Sequence, residues 1–315
     1  MLKLDDEFYK EEVRCGFKVT EKRKRVWAVE LNLLNEFDAF AKKYNLKYYA
    51  GFGTLLGAAR HKGFIPWDDD VDIFMMRDDY MKMAKYAREY FCGQAINGRR
   101  MVFEDAYSKN TVFRSYISKI RDCETTIAEP FMIENGTFAG ISIDIFPYDA
   151  TFDGTETMAR NTRIRYELWL CFVIGKGDPE NVKQALGGTS ILGDEILKKV
   201  CSLPDDDRMK LFEDHALSMW GKSSKVYLFY SSLVYDGKYD NDVDLWSDTC
   251  ELPFENLMVP APAAWDKVLR DIYGDYNEFV MGGSLHENSY YDPDTPFYEY
   301  ENGRKRIPED WDGSL

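Results

Sequence analysis

Three aspartates carry the sharpest chemical pattern in this chain. Two stand in Asp70-Val71-Asp72-Ile73, and the third, Asp144, stands in Ile141-Ser142-Ile143-Asp144-Ile145-Phe146. On a strand, successive side chains alternate faces, so Asp70 and Asp72 point one way while Val71 and Ile73 point into a core. Neighbouring carboxylates repel unless a cation lies between them. Asp144 faces away from Ile141, Ile143 and Ile145, on the side of Ser142 and Phe146. Aspartate disfavours strands, so something must compensate it. If the two strands are neighbours, three carboxylates converge into an oxygen-rich site suited to Mg²⁺ or Mn²⁺. Such cations bridge phosphate oxygens and stabilise an in-line displacement. The plainer readings are a solvated strand end for Asp70 and Asp72, and a backbone-bonded aspartate for Asp144.

Gly53-Thr54 adds a means of holding phosphate. A strand that ends in glycine and a hydroxyl residue, followed by a helix, gathers backbone N–H groups at one point, and anions bind there. Gly57 permits a close approach in the next turn. Arg60, His61 and Lys62 bring positive charge into an acidic neighbourhood, and arginine suits bidentate phosphate contacts. The plainer reading of these three is a solvated helix end, stabilised by the helix dipole.

The elements that must position these residues follow from periodicity and breakers. Val26, Val29, Leu33, Phe37, Phe40 and Tyr44 recur at helical spacing across 21–45. An aromatic strand over 47–52 ends at Gly53-Thr54, and a short helix follows from Leu55 to Arg60. Gly63 and Pro66 break it before a strand from Val71 to Met75. Residues 78–91 read as a helix, and 101–148 as strand-rich, with a hairpin expected at Asn135-Gly136. The same residues open the sequon Asn135-Gly136-Thr137, where the turn is the stronger reading. Helical patterns dominate from Glu156 to about Lys238. A strand is expected over 252–259, then a helix from Ala264 to Tyr273 that stops at Gly274. This order predicts an α+β fold: a mixed-sheet core over 20–150, a helical lobe over 151–245, a return strand and helix over 246–282, and a tail over 283–315.

Composition bounds the function. The chain has 315 residues, 40 Lys+Arg against 55 Asp+Glu, and a net charge of −15. Hydrophobic residues make up 45% and aromatics 15%, which excludes collagen-like and disordered classes. A pI near 4.8 disfavours nucleic-acid binding, which needs a basic surface. No apolar run approaches the ~20 residues of a membrane span, and the N-terminal residues lack a signal-peptide pattern. The cysteines at 15, 92, 123, 171, 201 and 250 form no CxxC pair, so reduced thiols and a cytoplasmic setting are expected. Asp240 to Glu251 imitates a calcium-loop count, but Leu245 stands where that loop needs glycine. His61, His215 and His286 show no zinc spacing.

Together these segments resemble a known family. Gly53 to Ile73, GTLLGAARHKGFIPWDDDVDI, is similar to the signature of the LicD family, and GISIDIFPYD (140–149) and LPFENLMVPAPAAWDKVLRDIYGDY (252–276) continue the pattern. Ala59 stands where valine is more usual. The resemblance implies a nucleotidyltransferase-like fold in which Gly53 and Thr54 hold donor phosphates and Asp70, Asp72 and Asp144 hold Mg²⁺ or Mn²⁺. It implies a CDP-choline or related CDP-alcohol donor. The acceptor would be a hydroxyl of a glycan or lipid-linked glycan, which admits peripheral contact at the inner face of the membrane. Arg60 or Lys62 would offset charge on the leaving nucleotide, and Asp144 would also take the acceptor's proton. A quaternary ammonium needs aromatic faces; Trp67 and Tyr148 stand beside the carboxylates, and Tyr290, Tyr291 and Tyr298 lie in the tail. Two alternatives stay open on the same scaffold: a nucleotidyltransferase attacking the α-phosphate, and a noncatalytic binding protein.

Overall fold

A computed structural model describes every residue except 1, 110–114, 230–239, 282–287 and 314; His286 lies outside the described residues. In chain order the elements begin with β1 (Glu12–Arg14), β2 (Phe17–Val19), α1 (Glu21–Lys43), β3 (Tyr49–Ala50), α2 (Phe52–Arg60), β4 (Asp72–Met76) and α3 (Arg77–Tyr90). There follow β5 (Cys92–Ile96), β6 (Arg99–Glu104), β7 (Ser118–Asp122), β8 (Thr126–Ala128), α4 (Pro130–Asn135) and β9 (Ser142–Ala150). Next come α5 (Glu156–Val173), α6 (Pro179–Ala185), α7 (Asp194–Cys201), α8 (Asp205–Met219), β10 (Lys225–Leu228) and β11 (Asn241–Asp242). The last are β12 (Thr249–Phe254), β13 (Leu257–Pro262), α9 (Trp265–Tyr273), β14 (Tyr290–Asp292) and α10 (Phe297–Glu301).

The fold is mixed α/β, and the chain divides into two compact units. The first comprises Met1–Met75, Asp79–Phe146 and Asp248–Leu315; the second comprises Met76–Asp78 and Pro147–Ser247. In the first unit the sheet runs β3-β4-β9-β7-β6-β5. The β4–β9 junction is made where Asp144 N donates to Val71 O at 2.9 Å, and Ile120 stands opposite Ile143 between β7 and β9. Ile141, Ile143 and Ile145 are 1%, 0% and 0% exposed, so each contributes roughly 1.5–3 kcal/mol of burial free energy. That fixes the register of β9 and obliges Asp144 to face the other way.

Helix α1 starts where the Thr20 hydroxyl accepts from Arg23 N at 3.1 Å, capping the first turn. Val26, Trp27, Leu33, Phe37 and Phe40 on it are fully buried, and the Trp27 ring stacks on Phe64 at 4.6 Å. In the second unit α5 packs on α6, α7 and α8, with Cys171, Leu197, Phe212 and Ala216 buried among them. There Arg77 binds Asp149 through two parallel bonds of 2.6 and 2.8 Å, both side chains fully buried.

Several expected elements change form. Asn135-Gly136 does not make a hairpin. Gly136 (φ +65°) is the left-handed cap that ends α4, so the same conformational demand closes a helix instead of a turn. The strand expected over 252–259 is a hairpin, β12–β13, that turns at Glu255 (φ +51°). The helical stretch to Lys238 contains the strand β10. Helix α2 begins at Phe52, so Gly53 and Thr54 lie within its first turn instead of before it. Strand β4 begins at Asp72, and Asp70 precedes it.

Candidate functional site

The site lies in the first unit, where α2 meets the loop before β4. Gly51 is the residue before α2 and has no side chain to cap it, so the first amides of this helix point outward without a side-chain acceptor from the cap. Phe52, the next residue, holds φ +35°, which is uncommon for a bulky residue. Its ring packs edge-on against Phe74 and Phe146 at 4.7 and 5.3 Å. Gly53 lies against Asp68: a Cβ at position 53 would stand 2.2 Å from Asp68 Oδ2. The Thr54 hydroxyl is buried and accepts from Asp72 N at 2.9 Å, which ties the first turn of α2 to the first residue of β4.

The acidic loop is held from outside. Asp68 O accepts from Arg23 Nη1 at 2.8 Å and from Trp27 Nε1 at 3.1 Å, both on α1. Tyr291 on β14 donates to Asp69 Oδ2 at 3.4 Å. The carboxylates of Asp68, Asp69 and Asp70 lie within 4.8 Å of one another. Burial, then Asp70 and Asp69, push the Asp68 carboxyl well above the ordinary carboxylate range. Burial does the same to Asp72, helped by Asp70, Asp144 and Asp68 and opposed by Lys119. Glu30 on α1 is raised by burial and by Asp70, Asp69 and Asp68. Burial and mutual repulsion thus disfavour the ionised form of these carboxyls, and a nearby cation would favour it. All-oxygen donors of this kind suit a hard divalent ion, so the Asp68–Asp70 cluster fits Mg²⁺ or Mn²⁺ on the chemistry of its donors.

Asp144 is compensated by a residue that the sequence reading missed. Lys119 on β7 stands opposite it in register, and its Nζ donates to both carboxylate oxygens at 2.8 and 2.6 Å. The signal was a lysine at a strand position facing the same side as Asp144. Glu30 was missed too, although an acid inside the buried stripe of α1, between Trp27 and Leu34, is itself anomalous.

The expected site residues separate into two groups. Thr54 meets Asp72 directly, and Asp70 and Asp144 act on Asp72 through their charges; Gly53 lies against Asp68, and the carboxylates within 4.8 Å of one another are those of Asp68, Asp69 and Asp70. Arg60 does not join them. It closes the other end of α2, about 10 Å from Gly53 at 1.5 Å per residue, and donates to Tyr276 O at 2.6 Å and to His61 Nε2 at 2.9 Å. Lys62 is exposed at φ +58°. His61 brings no charge: burial, Arg60 and Arg14 push it down to about 4. Trp67 is half-buried and edge-on to Phe17 at 6.2 Å. Of the aromatic residues, Tyr291 reaches the acidic loop through Asp69. Tyr148 is fully buried against Trp246 in the second unit, and Tyr290 and Tyr298 carry Lys22 and Arg100 over their rings.

The site thus sets carboxylates from β4 and β9 beside the start of α2 on a mixed sheet. Residues 45–172 match the family described as LicD/FKTN/FKRP, nucleotidyltransferase domain. The chain is 38% identical over 119 residues to the lipopolysaccharide cholinephosphotransferase LicD of Haemophilus influenzae, across 38% of this chain. The chain spans 41% of the length of that relative. It is also 40% identical over 58 residues to an uncharacterized protein of Rickettsia prowazekii, covering 18% of this chain and 22% of that protein. An uncharacterized protein of Rickettsia typhi is 42% identical over 64 residues, covering 20% and 19%. Among the described residues no helix is long and apolar enough to cross a membrane.

Proposed function

We propose that this protein transfers phosphocholine, or a similar zwitterionic phospho-group, from a CDP-activated donor to a hydroxyl of a cell-surface glycan precursor such as lipopolysaccharide. The observation that supports this best is the convergence of Asp68, Asp70, Asp72 and Asp144 beside the first turn of α2, tied through Thr54 to Asp72. The likeness to a cholinephosphotransferase over 119 residues supplies the donor and the acceptor class.

In this reading the amides at the start of α2 hold the donor's pyrophosphate. Asp70, Asp72 and Asp144 hold Mg²⁺ or Mn²⁺, which when bound neutralises phosphate charge as the bond to the nucleotide breaks. Thr54 fixes where Asp72 stands relative to the helix. Lys119 places positive charge where the transferred phosphoryl group gains negative charge. Asp144, whose two oxygens both accept from Lys119, is assigned to holding the cation. Arg60 and Lys62 lie at the distal end of α2 and take no part in this reading. The helix-rich segment 151–245 is the part we assign to acceptor recognition.

The test is CMP release from CDP-choline, with Mg²⁺ or with EDTA. We expect slow release that EDTA abolishes and that falls at least about 100-fold in Asp72→Asn. The mass of a product formed with acceptor separates the chemistry, because attack on the α-phosphate would leave a nucleotide on it. Failure to release CMP while another nucleotide stabilises the fold would change the donor, and failure to bind any nucleotide would refute catalysis.

A further inference from the structure

Glu30 lies outside the matched segment 45–172 and outside the machinery assigned above. It is 1% exposed. Its Oε2 has no hydrogen-bond partner in a fully enclosed position, and a buried unpaired polar atom calls for an explanation. Arg23, the cation whose field reaches it, already donates from Nη1 to Asp68 O. Glu30 lines one small recess together with Asp69, Asp70, Asp144, Lys119 and Tyr291. This recess has the room of about one water molecule. It is too small for an organic group, and its lining brings the five carboxylates of Glu30, Asp69, Asp70, Glu129 and Asp144 against the two cations Lys119 and Arg121. A single water could bridge Glu30 to its neighbours, but it would leave the carboxylates' mutual repulsion in place.

We propose that Glu30 is a cation ligand: it reaches from α1 into the recess and shares with Asp70 and Asp144 the divalent ion of the site. This rests on the metal-dependent reading given above, and it adds to that reading a ligand from the helix that precedes the matched segment. It also gives the helix a chemical task besides packing. The remaining donors are the same hard oxygens that favour Mg²⁺ and Mn²⁺ over softer ions.

The experiment titrates the full chain, freed of metal, with Mn²⁺ alone and reads free Mn²⁺ by its electron paramagnetic resonance signal. Removal of a ligand should weaken Mn²⁺ binding by about 10–100-fold or more, the range seen even for groups one shell further out. Glu30→Gln and Glu30→Asp both test this, the first by removing charge and the second by withdrawing the carboxylate by one methylene. Metal-free thermal unfolding identifies which variants are folded. A folded variant of either kind that binds Mn²⁺ like the unmodified chain overturns the assignment. An unmodified chain that binds no Mn²⁺ instead overturns the metal-dependent reading beneath it.

Discussion

At the residue scale the informative group is the Lys119–Asp144 pair. The side chains are 12% and 14% exposed, so removing one partner strands a charge in a largely dehydrated place, at a cost of roughly 3 kcal/mol. Lys119→Met should therefore lower metal-free stability in a urea titration by about that amount. It should also act in the opposite sense on cation binding, because the recess loses a positive charge that competes with the ion. The rise in unfolding temperature on adding Mg²⁺ should then be larger than in the unmodified chain. An unchanged Mg²⁺ response would mean that Lys119 does not share the cation's field. Asp144 was legible from the sequence as an anomaly in an isoleucine strand. Its partner was not, because cross-strand register cannot be read from one strand alone.

At the element scale, α2 and the acidic loop are fitted to each other through a glycine. An added Cβ at Gly53 would stand 2.2 Å from the Asp68 carboxylate, far inside van der Waals contact. Gly53→Ala should thus displace Asp68 and disturb the cluster more than it harms the helix, for which alanine is intrinsically better by about 1 kcal/mol. We expect folded protein by circular dichroism and CMP release reduced at least tenfold; normal release would show that the contact between α2 and the loop is incidental. The facing of Asp144 was legible because strand alternation is a local rule, but Asp70 precedes β4 and Gly53 lies inside α2, so neither stands in the local setting that the sequence suggested. The hairpin at Glu255 was hidden because apolar residues flank Glu255-Asn256 on both sides, so the segment reads as one strand. Gly136 was misassigned because a left-handed glycine ends a helix as readily as it makes a turn. The placement of Arg60 was decided by Tyr276, some two hundred residues away in sequence, which no local pattern announces.

At the scale of the whole molecule, the buried acids make stability depend on pH and metal together. Asp72, Asp68 and Glu30 all have carboxyls raised in the folded state. The native state therefore binds more protons than the unfolded one above the ordinary carboxylate pKa of about 4. Their contribution is fully present below that value and is lost as pH rises through the folded values. Metal-free protein should lose thermal stability as pH rises above the ordinary carboxylate range, less so in Asp72→Asn, and saturating Mg²⁺ should restore most of the loss. Identical profiles for the unmodified and Asp72→Asn proteins would contradict this coupling.

The acidic loop is braced by Arg23 and Trp27 from one direction along the chain and by Tyr291 from the other, the last across 222 positions. During synthesis the aspartates and the helix that faces them emerge more than two hundred residues before the tyrosine. Until then the four carboxylates from Asp68 to Asp72 lack one of their braces. A fragment cut to residues 45–172 would stay in that unfinished condition permanently, with the acids present and the walls that gather them missing.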